Sequence, residues 1–320
     1  MENKYIFLKP TFFEALWGDG TVLKKYDVEK YVPEGMDKSD IAGIGAFSGL
    51  PSDANEILSG KFKGYKLNEL YDEHPELFGT PSTLKWEHIP VSMGLGYACA
   101  DLSIQVHPTE EYAMKKLNCH GKSESWYIAD CLPHSDIVMG HNAKTMQDLD
   151  DYIERKDWTG LLKRYPILPG SFYNIQAGTL HAIQKGTLFM EVCNPCPVTY
   201  RFYDYDRVDK NGNKRQLDIE KAKENILVPF VCQDTHYHYR NNKGVTEINL
   251  TDNDNFSVFK YVINGEGSLQ MPKSYLGAFV IEGSGEIDGV SLKAGDCLLI
   301  TAEVKELLWK GEMTILAYSG

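Results

Sequence analysis

Two histidines, one glutamate and one glutamine lie in short strand-like segments and could together hold a divalent metal ion. Residues 102–107 alternate apolar and polar side chains, which places Gln105 and His107 on one face of a strand. Glu124 follows in the next strand-like segment, on a face that it shares with Trp126. A carboxylate on such a face is costly to bury unless a cation accompanies it.

The third segment, residues 169–181, contains two glycine turns around a short strand and ends at His181. Two imidazoles and one carboxylate with an open position form the donor set of a catalytic zinc site, and Gln105 adds an amide oxygen. Because no thiolate takes part, cobalt, nickel, manganese or iron could replace zinc. A single histidine is more often structural than a ligand, but the spaced set favours a metal. A divalent ion beside one carboxylate keeps a net positive charge, which would polarise a carbonyl and stabilise an enediolate.

The elements that must position these residues are mainly strands. Turn residues recur about every eight to twelve positions between β-rich runs, a spacing typical of a sandwich or barrel. Two helices are predicted, over residues 67–78 and 145–163, the second opened by a capping box of Thr145 and Asp148. After about residue 229 the pattern is strand-like again, and residues 283–285 and 295–296 are predicted to be turns.

Composition limits the function classes. The 320 residues carry a net charge of -12, which argues against binding to the nucleic-acid backbone but permits a small anionic substrate near a metal. No apolar run reaches membrane-spanning length, so we expect a cytoplasmic protein without a membrane partner. Seven scattered cysteines indicate reduced thiols, and for the CxxC pair Cys193 and Cys196 two plain thiols are favoured over a redox or metal pair.

Two further groups are open to more than one interpretation. Arg201 precedes Asp204 and Asp206, and could either join them in a surface ion network or point into a barrel mouth to hold an oxyanion. The sequence does not decide between the two. His236 and His238 could share a strand face, but exposed histidines in a linker or edge are favoured because no nearby carboxylate completes a ligand set.

Several stretches resemble the class I mannose-6-phosphate isomerases in their short bacterial form. The similarity extends from about residue 9 to residue 207, with a weaker tail. The matching stretches are residues 9–10, 17–18, 101–108, 121–127, 177–183 and 199–207.

The resemblance implies a mainly β fold of two cupin barrels, of the double-stranded β-helix or jelly-roll type, with a helical insertion at about residues 141–165. Residues 1–230 would form the metal-containing catalytic domain, and residues 231–320 a cupin-like domain without metal. One zinc ion would be held by residues that map onto Gln105, His107, Glu124 and His181. Catalytic and substrate-binding positions map onto Lys122, Arg201, Ser103, Glu191 and Trp17.

The implied reaction interconverts mannose 6-phosphate and fructose 6-phosphate through a cis-enediol, with a small sugar phosphate as the binding partner. Three positions depart from the family pattern: a Lys aligns with Gly94, and a Glu and a Trp align with Gly43 and Gly45. Either the local alignment is shifted or the pocket is wider and less basic. The alternatives are therefore an isomerase of a related 6-substituted or bulkier sugar, and a metal-binding sugar sensor without catalysis.

Overall fold

Antiparallel strands form most of the regular structure in residues 3–80, 87–208, 211–233 and 235–320, the part of the chain that this computed structural model describes. The chain divides into two units. The first unit contains Met1–Glu14, Gly20–Leu95 and Thr235–Gly320, and the second contains Ala15–Asp19 and Gly96–Asp234. In the described residues, no helix is both long enough and apolar enough to cross a membrane.

The N-terminal part of the first unit mixes short strands with short helices. The predicted helix over residues 67–78 is confirmed in two pieces, an α-helix over Leu67–Glu73 and a 3-10 turn over Pro75–Phe78. The elements are β1 (Tyr5–Lys9), β2 (Thr11–Glu14), α1 (Thr21–Tyr26), β3 (Ile41–Phe47), β4 (Glu56–Ile57), α2 (Leu67–Glu73) and β5 (Ser92–Ala98), in which the chain passes into the second unit.

The second unit is a strand-rich body with a helical insertion. Its elements are β6 (Ile104–Val106), α3 (Glu110–Lys116), β7 (Glu124–Cys131), β8 (Asp136–His141), α4 (Met146–Glu154), α5 (Trp158–Leu161), β9 (Leu162–Pro166), β10 (Phe172–Ile175), β11 (His181–Ile183), β12 (Thr187–Cys193), β13 (Tyr200–Tyr203) and α6 (Ile219–Lys223). The strand orders are β10-β7-β12-β5 in one sheet and β13-β6-β11-β8-β9 in the other.

One hydrophobic core joins the two sheets of the second unit. Ile104 and Val106 of β6 are buried in the same cluster as Trp126 and Ile128 of β7, and all four are at most 1% exposed. This burial confirms the alternation predicted for residues 102–107, because the apolar face turns inward. The side chains of the other face of β6 are thereby left to form a site.

The helical insertion lies near the predicted position, but the single helix predicted over residues 145–163 is wrong in extent: two short helices, α4 and α5, replace it, and β9 begins at Leu162. Thr145 precedes α4; its side chain accepts a hydrogen bond from the backbone N–H of Asp148, whose own side chain accepts from the N–H of Thr145. This reciprocal pair satisfies donors that the first helical turn leaves open. The second, shorter helix α5 is capped by Asp157, whose side chain accepts a single hydrogen bond from the backbone N–H of Gly160.

The C-terminal strands of the first unit build a large antiparallel sheet. They are β14 (His238–Asn242), β15 (Val245–Asp252), β16 (Ser257–Gln270), β17 (Leu276–Ile287), β18 (Val290–Lys293), β19 (Cys297–Ile300) and β20 (Glu306–Ser319). The sheet order is β14-β15-β16-β20-β17-β19-β1-β4, with β18 beside β17. The N-terminal strand β1 is therefore part of the C-terminal sheet, with Leu8 opposite Cys297.

This pairing changes the division predicted from the sequence. A boundary near residue 230 would give all of residues 1–230 to the metal-containing domain, whereas most of the first 95 residues belong with the C-terminal strands. The cause is long-range hydrogen bonding between chain ends, which no local pattern reveals. The turn predicted at residues 283–285 is also wrong: these residues lie inside β17 and pair with β20, and Gly283, at φ +79°, follows an irregularity in that ladder. The turn at residues 295–296 is present.

Candidate metal centre and active site

Three neighbouring strands of the second unit carry the predicted ligands. His181 opens β11 and stands directly opposite Gln105 of β6 in an antiparallel pair. Residues opposite each other in such a pair project from the same face, so the Gln105 and His181 side chains share a face of the sheet. Glu124 opens β7 in the other sheet, and His107 follows β6 immediately. Gln105 and His181 thus share one sheet face, while His107 and Glu124 lie at the ends of strands in the two sheets.

The two imidazoles converge on the Glu124 carboxylate. The Nε2 atom of His107 lies 3.3 Å from Oε2 of Glu124, and the Nε2 atom of His181 lies 3.2 Å from Oε1. All three side chains are at most 2% exposed. The donor atoms of the three residues lie within 4.8 Å of one another, a spacing that fits ligands of a single ion. The predicted ligands His107, Glu124 and His181 therefore form one buried cluster.

Among the described residues, four buried polar atoms of the cluster have no hydrogen bond of suitable geometry, although Lys122 and both imidazoles lie within 3.3 Å of the Glu124 carboxylate. These atoms are Nε2 of His107, Nε2 of His181 and both carboxylate oxygens of Glu124. Buried polar atoms are normally paired, because an unpaired one loses its hydration without compensation. Four such atoms around one point fit a bound cation. The donor set of two imidazoles and a carboxylate is the set that zinc accepts at a catalytic centre.

Backbone carbonyls orient both imidazoles. His107 donates from Nδ1 to the carbonyl oxygen of Val198 at 3.0 Å, and His181 donates from Nδ1 to that of Thr179 at 2.8 Å. Since Nδ1 carries the proton, a neutral ring keeps its lone pair on Nε2, which points to the cluster. Gly178, at φ +86°, makes the turn that brings His181 into this position.

The charge states of these groups suit a cation. Burial lowers the pKa of His181 to about 4, so this ring is neutral near neutral pH. Burial alone would raise the pKa of Glu124, but Lys122 and the two histidines hold it well below its usual value. A metal ligand must be a neutral imidazole or an ionised carboxylate, so His181 and Glu124 already have the required forms.

Lys122 lies between two carboxylates at the edge of this cluster. Its Nζ atom is 3.1 Å from Oε2 of Glu124 and 3.2 Å from Oε1 of Glu191. Although burial favours a neutral amine, Glu191, Cys193 and Glu124 raise the pKa of Lys122 well above its usual value. The side chain is 14% exposed and remains a cation, a hydrogen-bond donor and not a base. Two sequence-predicted residues, Lys122 and Glu191, are thus in direct contact.

Arg201 lies on β13, directly opposite Gln105 of β6. Its Nη1 atom donates to the carbonyl oxygen of Gln216 at 3.1 Å, and its buried Nε has no hydrogen-bond partner. The nearby carboxylate of Asp204 instead pairs with Arg207 and Arg215.

Asp204 and Asp206, the acidic residues of the surface ion network considered for Arg201, form ion pairs with other residues. Asp206 pairs with Lys214 at 2.7 Å at an exposed position. With both acidic residues engaged elsewhere, the geometry favours the interpretation in which Arg201 serves the site. Sequence reasoning missed Arg215 and Gln216, because nothing in their local pattern signals a link to Arg201.

The remaining predicted pocket residues have less direct geometry. Ser103 is buried immediately before β6, at 4% exposure. Trp17 is half-buried and packs on Phe189 with ring centroids 6.1 Å apart. Their substrate-binding roles stay predictions.

The three glycines that depart from the family pattern lie in β3 and β5 of the first unit. A Cβ atom at Gly43 would lie 2.2 Å from the ring of Phe13 and 2.4 Å from the carbonyl oxygen of Leu95. One at Gly45 would lie 2.2 Å from Oγ1 of Thr11. Neighbouring side chains thus fill the space at Gly43 and Gly45. At Gly94 the nearest atom would be a carbonyl oxygen 3.4 Å away, so a side chain could be accommodated there.

The two minor motifs of the sequence follow the simpler interpretation. His238 lies on β14, an edge strand of the large sheet, and both His236 and His238 are exposed. Cys193 and Cys196 are buried, and neither forms a disulfide.

Comparisons with known proteins agree with the resemblance found in the sequence. Residues 246–319 match the family model described as mannose-6-phosphate isomerase, cupin domain. The chain is 35% identical to mannose-6-phosphate isomerase ManA of Bacillus subtilis, covering 97% of each chain. It is 31% identical to the mannose-6-phosphate isomerase of Streptococcus mutans, covering 98% of this chain and 97% of that one.

A solved structure shows the same architecture. The crystal structure of the mannose 6-phosphate isomerase from Bacillus subtilis superposes with a TM-score of 0.92 at 35% identity, covering 99% of this chain and 100% of that chain. The mainly β, cupin-type fold predicted from the sequence is therefore confirmed. Identity at this level over nearly the whole length, together with the buried His–Glu–His cluster, shows that the chain belongs to the mannose-6-phosphate isomerase family.

Proposed function

We propose that this chain interconverts mannose 6-phosphate and fructose 6-phosphate with one zinc ion bound by Gln105, His107, Glu124 and His181. The observation that carries the proposal is the convergence of four buried, unpaired donor atoms on one point. Relatives named for this activity over the full length of the chain support the substrate. When bound, the metal ion supplies a positive charge that polarises the sugar's oxygens and stabilises an enediolate.

The residues around the cluster have different roles in substrate binding and in the reaction. Arg201, with an unpaired Nε, is suited to donate hydrogen bonds to the oxygen on which negative charge develops. Lys122 remains cationic between its two carboxylates and donates to the polar groups of the sugar. Ser103, Glu191 and Trp17 complete the pocket in this proposal. In the reaction the proton on C2 of the aldose is transferred to C1, and a proton passes from the O2 hydroxyl to O1.

Zinc is proposed because backbone carbonyls fix both imidazoles through Nδ1 and leave Nε2 toward the cluster, and because the carboxylate is ionised. The measurement is elemental analysis of protein purified without added metal, followed by reconstitution of chelated protein with zinc, cobalt and manganese. We expect about one equivalent of zinc. Stoichiometric binding of a different metal, with zinc unable to restore activity, would overturn the choice of ion.

The activity itself is tested with a coupled assay for fructose 6-phosphate formed from mannose 6-phosphate. We expect turnover of roughly 1–10³ s⁻¹ that a chelator abolishes and added zinc restores. A matched control is the Glu29→Gln variant, since Glu29 forms an exposed pair with Lys38 far from any predicted ligand in the sequence. Absence of metal-dependent turnover in the unmodified protein would refute the proposal.

The relatives favour this reaction over the two alternatives raised by the sequence. A panel of 6-substituted and bulkier sugars tests the first of these, which requires a preferred substrate other than mannose 6-phosphate. Exchange of the C2 proton in deuterated water tests the second, because a sensor without catalysis would bind sugar without exchange. The cytoplasmic location expected from the sequence stays a prediction, which fractionation of cells expressing a tagged chain would check.

A further inference from the structure

One buried carboxylate in the second unit is bound by two arginines that have no part in the reaction proposed above. Asp204, with a 5% exposed side chain, accepts from Nε of Arg215 at 2.8 Å through Oδ2 and from Nη2 at 2.6 Å through Oδ1. Arg207 donates to the same carboxylate and also to the carbonyl oxygen of Asp101. A bidentate arginine pair fixes geometry as well as charge.

This cluster contacts two parts of the chain near the metal-ligand strand β6, the residues that precede β6 and the segment beside Arg201. Through Arg207 it reaches Asp101, which leads into β6. Through Arg215 it holds the segment whose next residue, Gln216, offers its carbonyl oxygen to Nη1 of Arg201 at 3.1 Å. The same segment donates from the N–H of Asp218 to the carbonyl oxygen of Arg201 at 2.7 Å. Arg201 is therefore held at its guanidinium and at its backbone by one short stretch of chain.

The charges make this arrangement depend on Asp204. Burial and the positive charge of Arg215 lower the pKa of Arg201. Asp204 and Asp218 act in the opposite direction. Without the Asp204 carboxylate, three arginines would share one half-buried region, and like charges so placed push apart.

We propose that the Asp204–Arg215 ion pair is a positioning device for Arg201, holding its guanidinium toward the substrate through the carbonyl group of Gln216. In this proposal Arg215 acts only through Arg201. The inference rests on the proposed isomerase function, in which Arg201 stabilises the developing oxyanion.

The central variant is Arg215→Met, which keeps an unbranched, flexible side chain in place of the aliphatic part of arginine and removes the ion pair. Removing one preorganised oxyanion donor typically costs about 10²–10³-fold in kcat. We therefore expect Arg201→Met to lower kcat by about that factor, and Arg215→Met to lower it at least about tenfold with KM within about threefold, as for an interaction made in the transition state. Arg215→Lys, which restores the charge but not the fork, should recover part of the loss.

A double variant separates positioning from general stability. If Arg215 acts through Arg201, the variant Arg201→Met/Arg215→Met should be no slower than Arg201→Met alone. Asp204→Asn should lower kcat in the same manner. The matched control is Asp206→Asn, which removes the exposed ion pair with Lys214 two residues away and should leave kcat within about twofold. An additive double variant, or Arg215→Met with normal kcat per folded enzyme and only a lower melting temperature, would overturn the inference.

A second measurement does not depend on turnover. The ¹⁵Nε signal of Arg201, assigned by its loss in Arg201→Lys, should show a rigid side chain in the unmodified protein and a mobile one in Arg215→Met, with the order parameter falling below about 0.6. Unchanged order would overturn the positioning role even if activity falls. If the unmodified protein does not convert mannose 6-phosphate, the proposed function fails and this comparison still decides the coupling between Arg215 and Arg201.

Discussion

Replacement of Glu124 by glutamine removes the buried negative charge that lies against His107, His181 and Lys122. Lys122, 3.1 Å away, keeps only its contact with Glu191 at 3.2 Å, and the two imidazoles lose their only carboxylate neighbour among the described contacts. Glutamine has nearly the same shape, so the substitution changes charge and leaves packing largely intact. It therefore tests electrostatics and metal binding together.

The expected magnitude follows from the two states of the site. Loss of the ion pair between Lys122 and Glu124 should destabilise the metal-free protein by about 1.5–3 kcal/mol, toward the lower end because Glu191 remains. Loss of an anionic ligand should weaken metal binding at least about 100-fold, the upper end of what removal of an outer-shell partner costs. At free zinc 100 times the original Kd, binding contributes about 2.7 kcal/mol to the unmodified protein but only about 0.4 kcal/mol to the variant.

The assay is urea unfolding in metal-buffered solution, with and without a chelator, for both proteins. The zinc-dependent gain in unfolding free energy should fall by about 2.3 kcal/mol in Glu124→Gln, the difference between the two contributions above. Glu29→Gln, which breaks an exposed pair with Lys38, should keep the full gain. If Glu124→Gln shows the same zinc-dependent stabilisation as the unmodified protein, the cluster is not the metal site and the reasoning from unpaired donor atoms is refuted.

Three further outcomes are expected. Thr145→Ala should destabilise the second unit by about 1 kcal/mol in urea unfolding, because it removes the cap of α4; no change would show that the helix does not depend on it. Gly43→Ala should cost about 1–3 kcal/mol, since its Cβ meets the Phe13 ring and a carbonyl oxygen, whereas Gly94→Ala should be neutral or stabilising by up to about 1 kcal/mol; equal effects would contradict the packing described. Although burial opposes it, Arg215 and Arg207 hold the pKa of Asp204 below its usual value of 3.8, so the charged carboxylate stabilises the fold above that pH. The difference in unfolding free energy between the unmodified protein and Asp204→Asn should be constant near neutral pH and shrink as the pH falls below 3.8. A difference that grows on acidification would contradict this sign.

Much of the metal centre could be predicted from local pattern. The alternation around Gln105 and His107 correctly separates the apolar face of β6 from its polar face, because the side-chain period of a strand is two residues whatever the tertiary context. The capping box at Thr145 depends only on residues three positions apart, and it also forms as predicted. Local rules succeed where the interacting groups lie within one element.

Errors arise where the sequence has no local signal. Residues 283–285 have the composition of a turn, yet they continue β17 because pairing with β20 outweighs the preference of glycine for turns. The glycines at positions 43 and 45 suggest an emptied pocket in the sequence, while the structure shows Phe13 and Thr11 filling the adjacent space. Which side chain occupies a gap is decided by the neighbouring strand.

The sequence by itself determined the chemistry of this protein: which donor atoms are available, that they alternate onto strand faces, and that no thiolate competes for the metal. Only the tertiary structure decided that His107, Glu124 and His181 meet at one buried point, that β1 belongs to the C-terminal sheet, and that Asp204 pairs with Arg215. The physical reason is that ligand types and strand periodicity are properties of short segments. Convergence of donors and ion-pair partners depends instead on contacts between residues far apart in the chain, which form only when the sheets pack.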